Sequence, residues 1–202
     1  MENFLKNRHH NIYLNKPITY KNFIGKDCNK KKKEYEYIHQ ETIPKEITNL
    51  GYIEVSVSNN IPIYITTPIM VSPFGFDKRN NTVTLQFTNI KTDSEMKSFY
   101  NLIESLELDQ MRYIGLTEDE IDLYLSQIRY DKEMKYDPNL IVKIPFKNNA
   151  YEVNIRSKDN PVCSVTNIYK WTKLKGDIYI DKIWKFNGKY VCKWKFRNIL
   201  IV

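Results

Sequence analysis

Ile178-Tyr179-Ile180-Asp181-Lys182-Ile183-Trp184-Lys185-Phe186-Asn187-Gly188-Lys189-Tyr190-Val191-Cys192-Lys193-Trp194-Lys195-Phe196 is the stretch that decides the fold. β-Branched and aromatic residues run on both sides of an Asn-Gly pair. That pair is the strongest short-range hairpin signal, because both central positions of a type I′ turn need φ > 0. Counting outward from the turn sets Phe186 against Lys189, Lys185 against Tyr190 and Trp184 against Val191. Trp194 then has the opposite parity from Val191, so at most one of these two tryptophans faces the core. Trp184, next to Phe186 and on the parity of Ile180, is expected in the core. Trp194 is expected on a binding face.

The flanking sequence repeats strand chemistry. Residues 52–58 alternate, residues 61–66 resume after Asn59-Asn60, and residues 82–87 place Val83, Leu85 and Phe87 on one face. Residues 140–146 and 151–156 flank Asn148-Asn149 and are expected to pair as a hairpin. Ile199-Leu200-Ile201-Val202 reads as a last apolar strand. Two helices interrupt the strands. Thr92 and Glu95 form a capping box before Met96, Phe99, Ile103 and Leu106. Thr117 and Glu120 repeat it before Ile121, Tyr124, Leu125 and Ile128. The order strands, helices, strands predicts an α+β fold, mostly antiparallel β, with a small sheet or barrel. The predicted division is a basic, polar, partly flexible arm over 1–50 and a domain over 51–202 with a helical insertion at about 92–130.

Composition sets the outer limits. The chain has 202 residues, 42% hydrophobic and 13% aromatic, enough for one domain with a sizeable core. No apolar run approaches the ~20 residues of a membrane span, and Met1 to His10 lack a signal-type apolar region, so neither a membrane nor secretion is expected. Cys28, Cys163 and Cys192 are an odd, scattered set that suggests a reducing compartment. His9, His10, Cys28 and His39 match no zinc spacing. No phosphate loop or nucleophile–base motif stands out, and Glu118, Asp119 and Glu120 fit helix capping better than acid–base work. The expectation is a protein that is not an enzyme and has no metal or cofactor.

Charge is blocked. Residues 1–80 carry 12 basic and 8 acidic side chains (+4), residues 81–138 carry 6 and 12 (−6), and residues 139–202 carry 13 and 4 (+9), which sum to the net +7. In the last block, cations and aromatics interleave. Cations track phosphates and aromatic faces stack on bases in single-strand binders. The candidate contacts there are Lys143, Lys147, Tyr151, Arg156, Lys158, Tyr169, Lys170, Trp171, Lys173, Lys175, Lys193, Trp194, Lys195 and Arg197. Phe74 and Phe76 beside Lys78 and Arg79 form a second loop of the same kind.

The run Pro138-Asn139-Leu140-Ile141-Val142-Lys143-Ile144-Pro145, then Leu174-Lys175-Gly176, then residues 183–190 and Trp194-Lys195-Phe196, resembles the C-terminal strands of the OB-fold single-stranded-DNA-binding proteins of nucleocytoplasmic large DNA viruses, relatives of phage-type single-strand binders. The resemblance implies an OB-like barrel with two inserted helices. It also implies single-stranded DNA as the partner, in viral replication or recombination in the host cytoplasm or nucleus. Replication proteins, self-association and a place in the virion are further expectations. Phage-type binders end in an acidic, aromatic-tipped tail. This chain ends in Ile-Leu-Ile-Val, so tail-mediated recruitment is not expected. A virion structural or genome-packaging protein with a basic face is the alternative, and the sequence does not separate DNA from RNA.

Overall fold

A computed structural model describes residues 18–23, 51–57, 61–157 and 163–202. The strands are β1 (Ile18–Phe23), β2 (Tyr52–Val57), β3 (Ile63–Thr66), β4 (Met70–Ser72), β5 (Phe76–Asp77), β6 (Thr82–Gln86), β7 (Ile128–Arg129), β8 (Asn139–Lys143), β9 (Phe146–Lys147), β10 (Ala150–Tyr151), β11 (Asn154–Ser157), β12 (Thr172–Ile180), β13 (Lys182–Phe186), β14 (Lys189–Cys192) and β15 (Trp194–Ile201). Between β6 and β8 lie the helix α1 (Ser94–Ile114) and a 3-10 helix (Glu118–Leu123).

Five strands close a ring. β4 pairs with β6, β6 with β8, β8 with β15, β15 with β12, and β12 with β4. All these pairings are antiparallel except β8–β15. In chain order the ring reads first, second, third, fifth, fourth, which makes this an OB-like α+β barrel. Alternation fills its interior. Val83 and Leu85 of β6, Leu140 and Val142 of β8, Leu174, Ile178 and Ile180 of β12, and Trp194, Phe196 and Ile199 of β15 are all buried. Gly176 lies beneath the Phe196 ring, and a Cβ there would stand 2.5 Å from Phe196 Cε1. α1 closes the end of the barrel with Met96, Phe99, Ile103 and Leu106. Phe99 and Tyr100 meet Phe87 at centroid distances of 5.8 and 5.2 Å.

A second sheet, β1-β2-β13-β14, is built on the connection between β12 and β15. Six residues of the predicted arm form its edge strand β1, and Tyr20 of that strand donates to Asp109 of α1 (2.8 Å) and stacks on Tyr113 (4.2 Å). The rest of the arm, including Lys30 to Lys33, His9, His10, Cys28 and His39, lies outside the described residues.

The hairpin has the expected register, Phe186 opposite Lys189, Lys185 opposite Tyr190 and Trp184 opposite Val191. The assignment of its faces is reversed. Trp194 is 1% exposed and belongs to the core, whereas Trp184 is 42% exposed. The cause is Asp181, which separates β12 from β13. Its carbonyl accepts the Val55 amide (2.8 Å) and its carboxylate holds Lys195. Even-numbered residues point inward before it, and Ile183 points inward after it, opposite buried Cys192. A strand read as continuous through Asp181 carries the wrong parity past it.

Three other expectations change. The hairpin over 140–146 and 151–156 forms only next to its turn, where Tyr151 pairs with Phe146 and the Glu152 amide donates to the Pro145 carbonyl (2.8 Å), and residues 154–156 do not pair back on 140–144. Asn148-Asn149 turns only the two-residue strands β9 and β10, and β11 runs parallel to β15. The cap of α1 is Asp93, whose carboxylate accepts the amides of Glu95 (2.9 Å) and Met96 (3.0 Å), one residue past Thr92. The second helix stops after Leu123, because Tyr124 turns away to bridge Tyr190 and donate to Gln110 (2.6 Å).

Trp194→Ala should cost about 3–5 kcal/mol, the range for a buried aromatic, whereas Trp184→Ala should leave unfolding within about 1 kcal/mol of wild type. Urea titration of both variants checks this ordering. Gly176→Ala should destabilise by about 1–3 kcal/mol through overpacking against Phe196, read as a lowered melting temperature.

Candidate nucleic-acid interface

Two loops meet at one end of the barrel. The first joins β4 to β6 and carries Phe74, Phe76, Lys78 and Arg79. The second leads into β12 and carries Tyr169, Lys170 and Trp171. Backbone hydrogen bonds tie them together, from Phe76 N to Ile168 O (2.9 Å) and from Trp171 N to Ser72 O (2.7 Å). Gly75 makes the approach possible. Its φ is +74°, and a Cβ would stand 2.7 Å from Ile168 O and 2.8 Å from the Tyr169 carbonyl carbon. The splint displays three rings on the surface, with Phe74 66%, Tyr169 65% and Trp171 67% exposed. Trp171 sits at φ +66°, a region that strains a bulky side chain and that persists only where the surroundings enforce it. Here the Ser72 carbonyl on its amide does so, together with Thr172 Oγ1, which accepts the Tyr169 amide (2.9 Å).

A smaller ring cluster flanks the splint. Tyr151 packs edge-on against Phe76 (5.4 Å) and tilted against Phe146 (4.8 Å). At the loop tip, the Asp77 carboxylate accepts the Asn80 side chain (2.7 Å), which chiefly holds its pKa below the usual carboxylate range, and also the Arg79 amide (2.9 Å). Lys78 and Arg79 remain exposed beside it.

From this tip a belt of outward residues, each opposite the next in strand register, crosses six strands. It runs Asp77, Thr82, Lys143, Lys195, Tyr179, Tyr64. Their strand neighbours Val83, Val142, Trp194, Ile178 and Ile65 point into the core. Lys143 and Lys195 lie side by side at the parallel seam, with Lys193 within electrostatic reach. Partial desolvation, followed by repulsion from Lys143 and Lys195, lowers the Lys193 pKa. A bound anion would relieve that repulsion. Lys195 is partly neutralised by Asp181 (2.6 Å), while Lys143 and Lys193 form no ion pair among the described residues. A register shift between β12 and β15 sets Asp177 opposite Asn198 and Ile178 opposite Phe196, so Arg197 bulges outward over the Tyr64 ring at 5.2 Å.

The expected contacts therefore separate. Phe74, Phe76, Lys78, Arg79, Tyr169, Lys170 and Trp171 converge on the splint, with Lys147 and Tyr151 on the adjacent β9–β10 turn. Lys143 and Lys195 lie on the belt, with Lys193 and Arg197 beside it. Lys173 and Lys175 project from β12, and Arg156 from β11 on the far side of β15. Trp194 is withdrawn into the core, and Lys158 lies outside the described residues. Phe146 and Tyr64 were not anticipated, and Tyr179 stood out in the sequence only as one of the aromatics interleaved with cations over 143–197. The outward parity of Tyr64 and Tyr179, on strands flanked by buried Ile63, Ile65, Ile178 and Ile180, is the signal that would have found them.

No protein-family model and no curated protein matches the chain. Among solved structures it is similar to the single-stranded DNA-binding protein from bacteriophage Enc34. The C-terminally truncated form is 12% identical, with TM-score 0.43 over 79% of this chain and 91% of that one. The form in complex with single-stranded DNA is 12% identical, with TM-score 0.39 over 81% and 96%. At this level the likeness adds nothing to the topology already described, and the site stands on its own geometry.

Trp171→Asn separates a binding role from a folding role. Asparagine accepts positive φ at little cost, so the melting temperature should hold or rise. Affinity for single-stranded oligonucleotides should fall by about 1–3 kcal/mol, the value of one stacked base, as read by fluorescence anisotropy.

Proposed function

We propose that this chain is a non-catalytic single-stranded DNA-binding protein. The observation that carries the reading is Trp171, a large ring held two-thirds exposed on a strained backbone, beside Phe74 and Tyr169 and among cations. A packing role needs neither the exposure nor the strain. Base stacking uses both, because it needs a rigid ring face open to solvent. The belt supplies the electrostatic half of the mechanism. Lys143, Lys193 and the loop cations hold phosphates, while the rings stack on bases without reading them. No arrangement in this set presents paired donors and acceptors to a base edge, so binding is expected to tolerate sequence.

In the setting we infer, the protein protects single strands during viral DNA replication or recombination, at replication sites in the host cytoplasm or nucleus. That setting is supported by the resemblance of residues 138–197 to the single-strand binders of large DNA viruses, and it is tested separately by co-localisation with nascent viral DNA.

Log affinity for oligo-dT should fall linearly with log salt, by about 0.7 per phosphate neutralised. Single strands should compete out duplex of matched length. Tryptophan emission should quench on binding through Trp171, while buried Trp194 contributes little change. A flat salt response, or equal affinity for duplex without quenching, would instead indicate a generic basic scaffold.

A further inference from the structure

An open groove of about 490 Å³ lies where the chain enters β12, against the end of β15. Trp171 and Tyr169 line it together with Ile201 and Val202. The two exposed rings of the second aromatic loop therefore belong both to the splint and to this groove, and the two form one continuous surface.

Paired strands carry the aliphatic part of the lining. Ile201 stands in register between Ser157 of β11 and Leu174 of β12, and the Val202 amide donates to the Lys173 carbonyl (3.0 Å). The polar part comes from Asn167, Thr172 and Lys173. Asn167 closes the short 3-10 turn Val165–Asn167, and its Oδ1 accepts the Ser164 amide (2.8 Å). That bond fixes which end of the side-chain amide is the oxygen and leaves the NH2 group to offer a ligand. Thr172 Oγ1 accepts the Tyr169 amide (2.9 Å), so its hydroxyl hydrogen is left to donate. Lys173 is exposed and forms no ion pair among the described residues. No acidic side chain lines the groove. These side chains have used acceptors and kept donors.

That combination selects a ligand. Rings and aliphatic side chains suit a flat apolar face, and spare donors suit an edge that carries carbonyls. A nucleobase has both. Thymine presents O4 as an acceptor where cytosine presents the N4 amino donor. Cytosine would set donor against donor, and a donor left unmatched costs more than a made hydrogen bond contributes.

We propose that this groove seats the nucleobase next to the one stacked on Trp171, with Lys173 on its phosphate, and that it favours thymine over cytosine. This rests on the single-strand reading above and deepens it. The occupant is the nucleic acid because the groove shares Trp171 and Tyr169 with that interface and is lined by a cation and no acidic side chain. The discrimination is one of degree. A donor set biases one position without pairing to a whole base edge, so other sequences still bind.

The test titrates the full chain with oligo-dT and oligo-dC of equal length by fluorescence anisotropy. Wild type should bind oligo-dT about fivefold more tightly, the value of one hydrogen bond. Asn167→Asp keeps an oxygen for the Ser164 amide and exchanges the spare donor for an acceptor. Its added charge weakens both oligonucleotides alike, so the ratio is the reading, and the preference for oligo-dT should vanish or reverse with the melting temperature held. Val202→Phe fills the groove and should also abolish the preference. Cys163 lines the groove and Cys192 is buried, so in a Cys28→Ser chain oligo-dT should slow alkylation of Cys163 several-fold. Should Val202→Phe lower the melting temperature, Asn167→Asp and the alkylation rate decide. Equal wild-type affinity for the two oligonucleotides, a preference that survives the substitutions, or an alkylation rate unchanged by oligo-dT would each overturn the proposal and leave the single-strand reading standing. Failure of the wild-type chain to bind either oligonucleotide would overturn the single-strand reading itself, and this proposal with it.

Discussion

The barrel depends on a short parallel seam. β8 and β15 pair only through Trp194 with Val142 and Lys195 with Lys143, yet this contact turns an open sheet into a ring. Parallel partners far apart in sequence gain nothing from a local turn, so the seam has to be held by what it buries. The Trp194 ring, with Phe196 and Ile199 further along β15, provides that anchorage from the core side. On the outer side the same register brings Lys143 and Lys195 together, with Lys193 near. Closing the barrel and concentrating positive charge are consequences of a single alignment. The two are coupled, because a slip by one residue would expose the tryptophan and bury the lysines.

The splint between the two aromatic loops solves a different problem. Surface rings on independent loops would lose much of their stacking energy to ordering on binding. Here two backbone hydrogen bonds and the close approach at Gly75 hold together the backbone segments that carry Phe74, Tyr169 and Trp171. The strain at Trp171 is compatible with the fold because β12, which begins at the next residue, is paired with β4 and β15 and does not depend on that residue's conformation.

Local features were legible in the sequence, and long-range ones were not. Asn187-Gly188 gave the hairpin register, and Val83, Leu85 and Phe87 gave the inward face of β6, because each signal acts over a few residues. The loop aromatics could be recognised because they fell between strands, among lysines. The faces of the two tryptophans could not be read, since they depend on Asp181 leaving the ladder to accept the Val55 amide across more than a hundred residues. Nor could the partner of residues 154–157, because a parallel edge pairing with β15 has no turn to announce it. The belt from Asp77 to Tyr64 is of this second kind. Each of its members is unremarkable on its own strand and becomes a surface only through five registers set elsewhere.

The belt is also graded. At its β3 end, Arg197 already rests on Tyr64 and Lys195 on Asp181, with Asp177 bound by Thr66 and Asn198 nearby. Those cations are matched within the protein, so a phosphate arriving there would displace existing partners and gain little. Lys143 and Lys193 form no ion pair among the described residues, and partial desolvation, then repulsion from Lys143 and Lys195, lowers the Lys193 pKa. Among the described residues, the cations without an ion pair therefore gather at Lys143 and Lys193, next to the loop that carries Lys78 and Arg79, and those toward β3 are matched. A polyanion would be drawn to the β6–β8 side of the barrel, and the matched Tyr64–Arg197 and Lys195–Asp181 contacts would act chiefly to keep the β12–β15 wall rigid behind it.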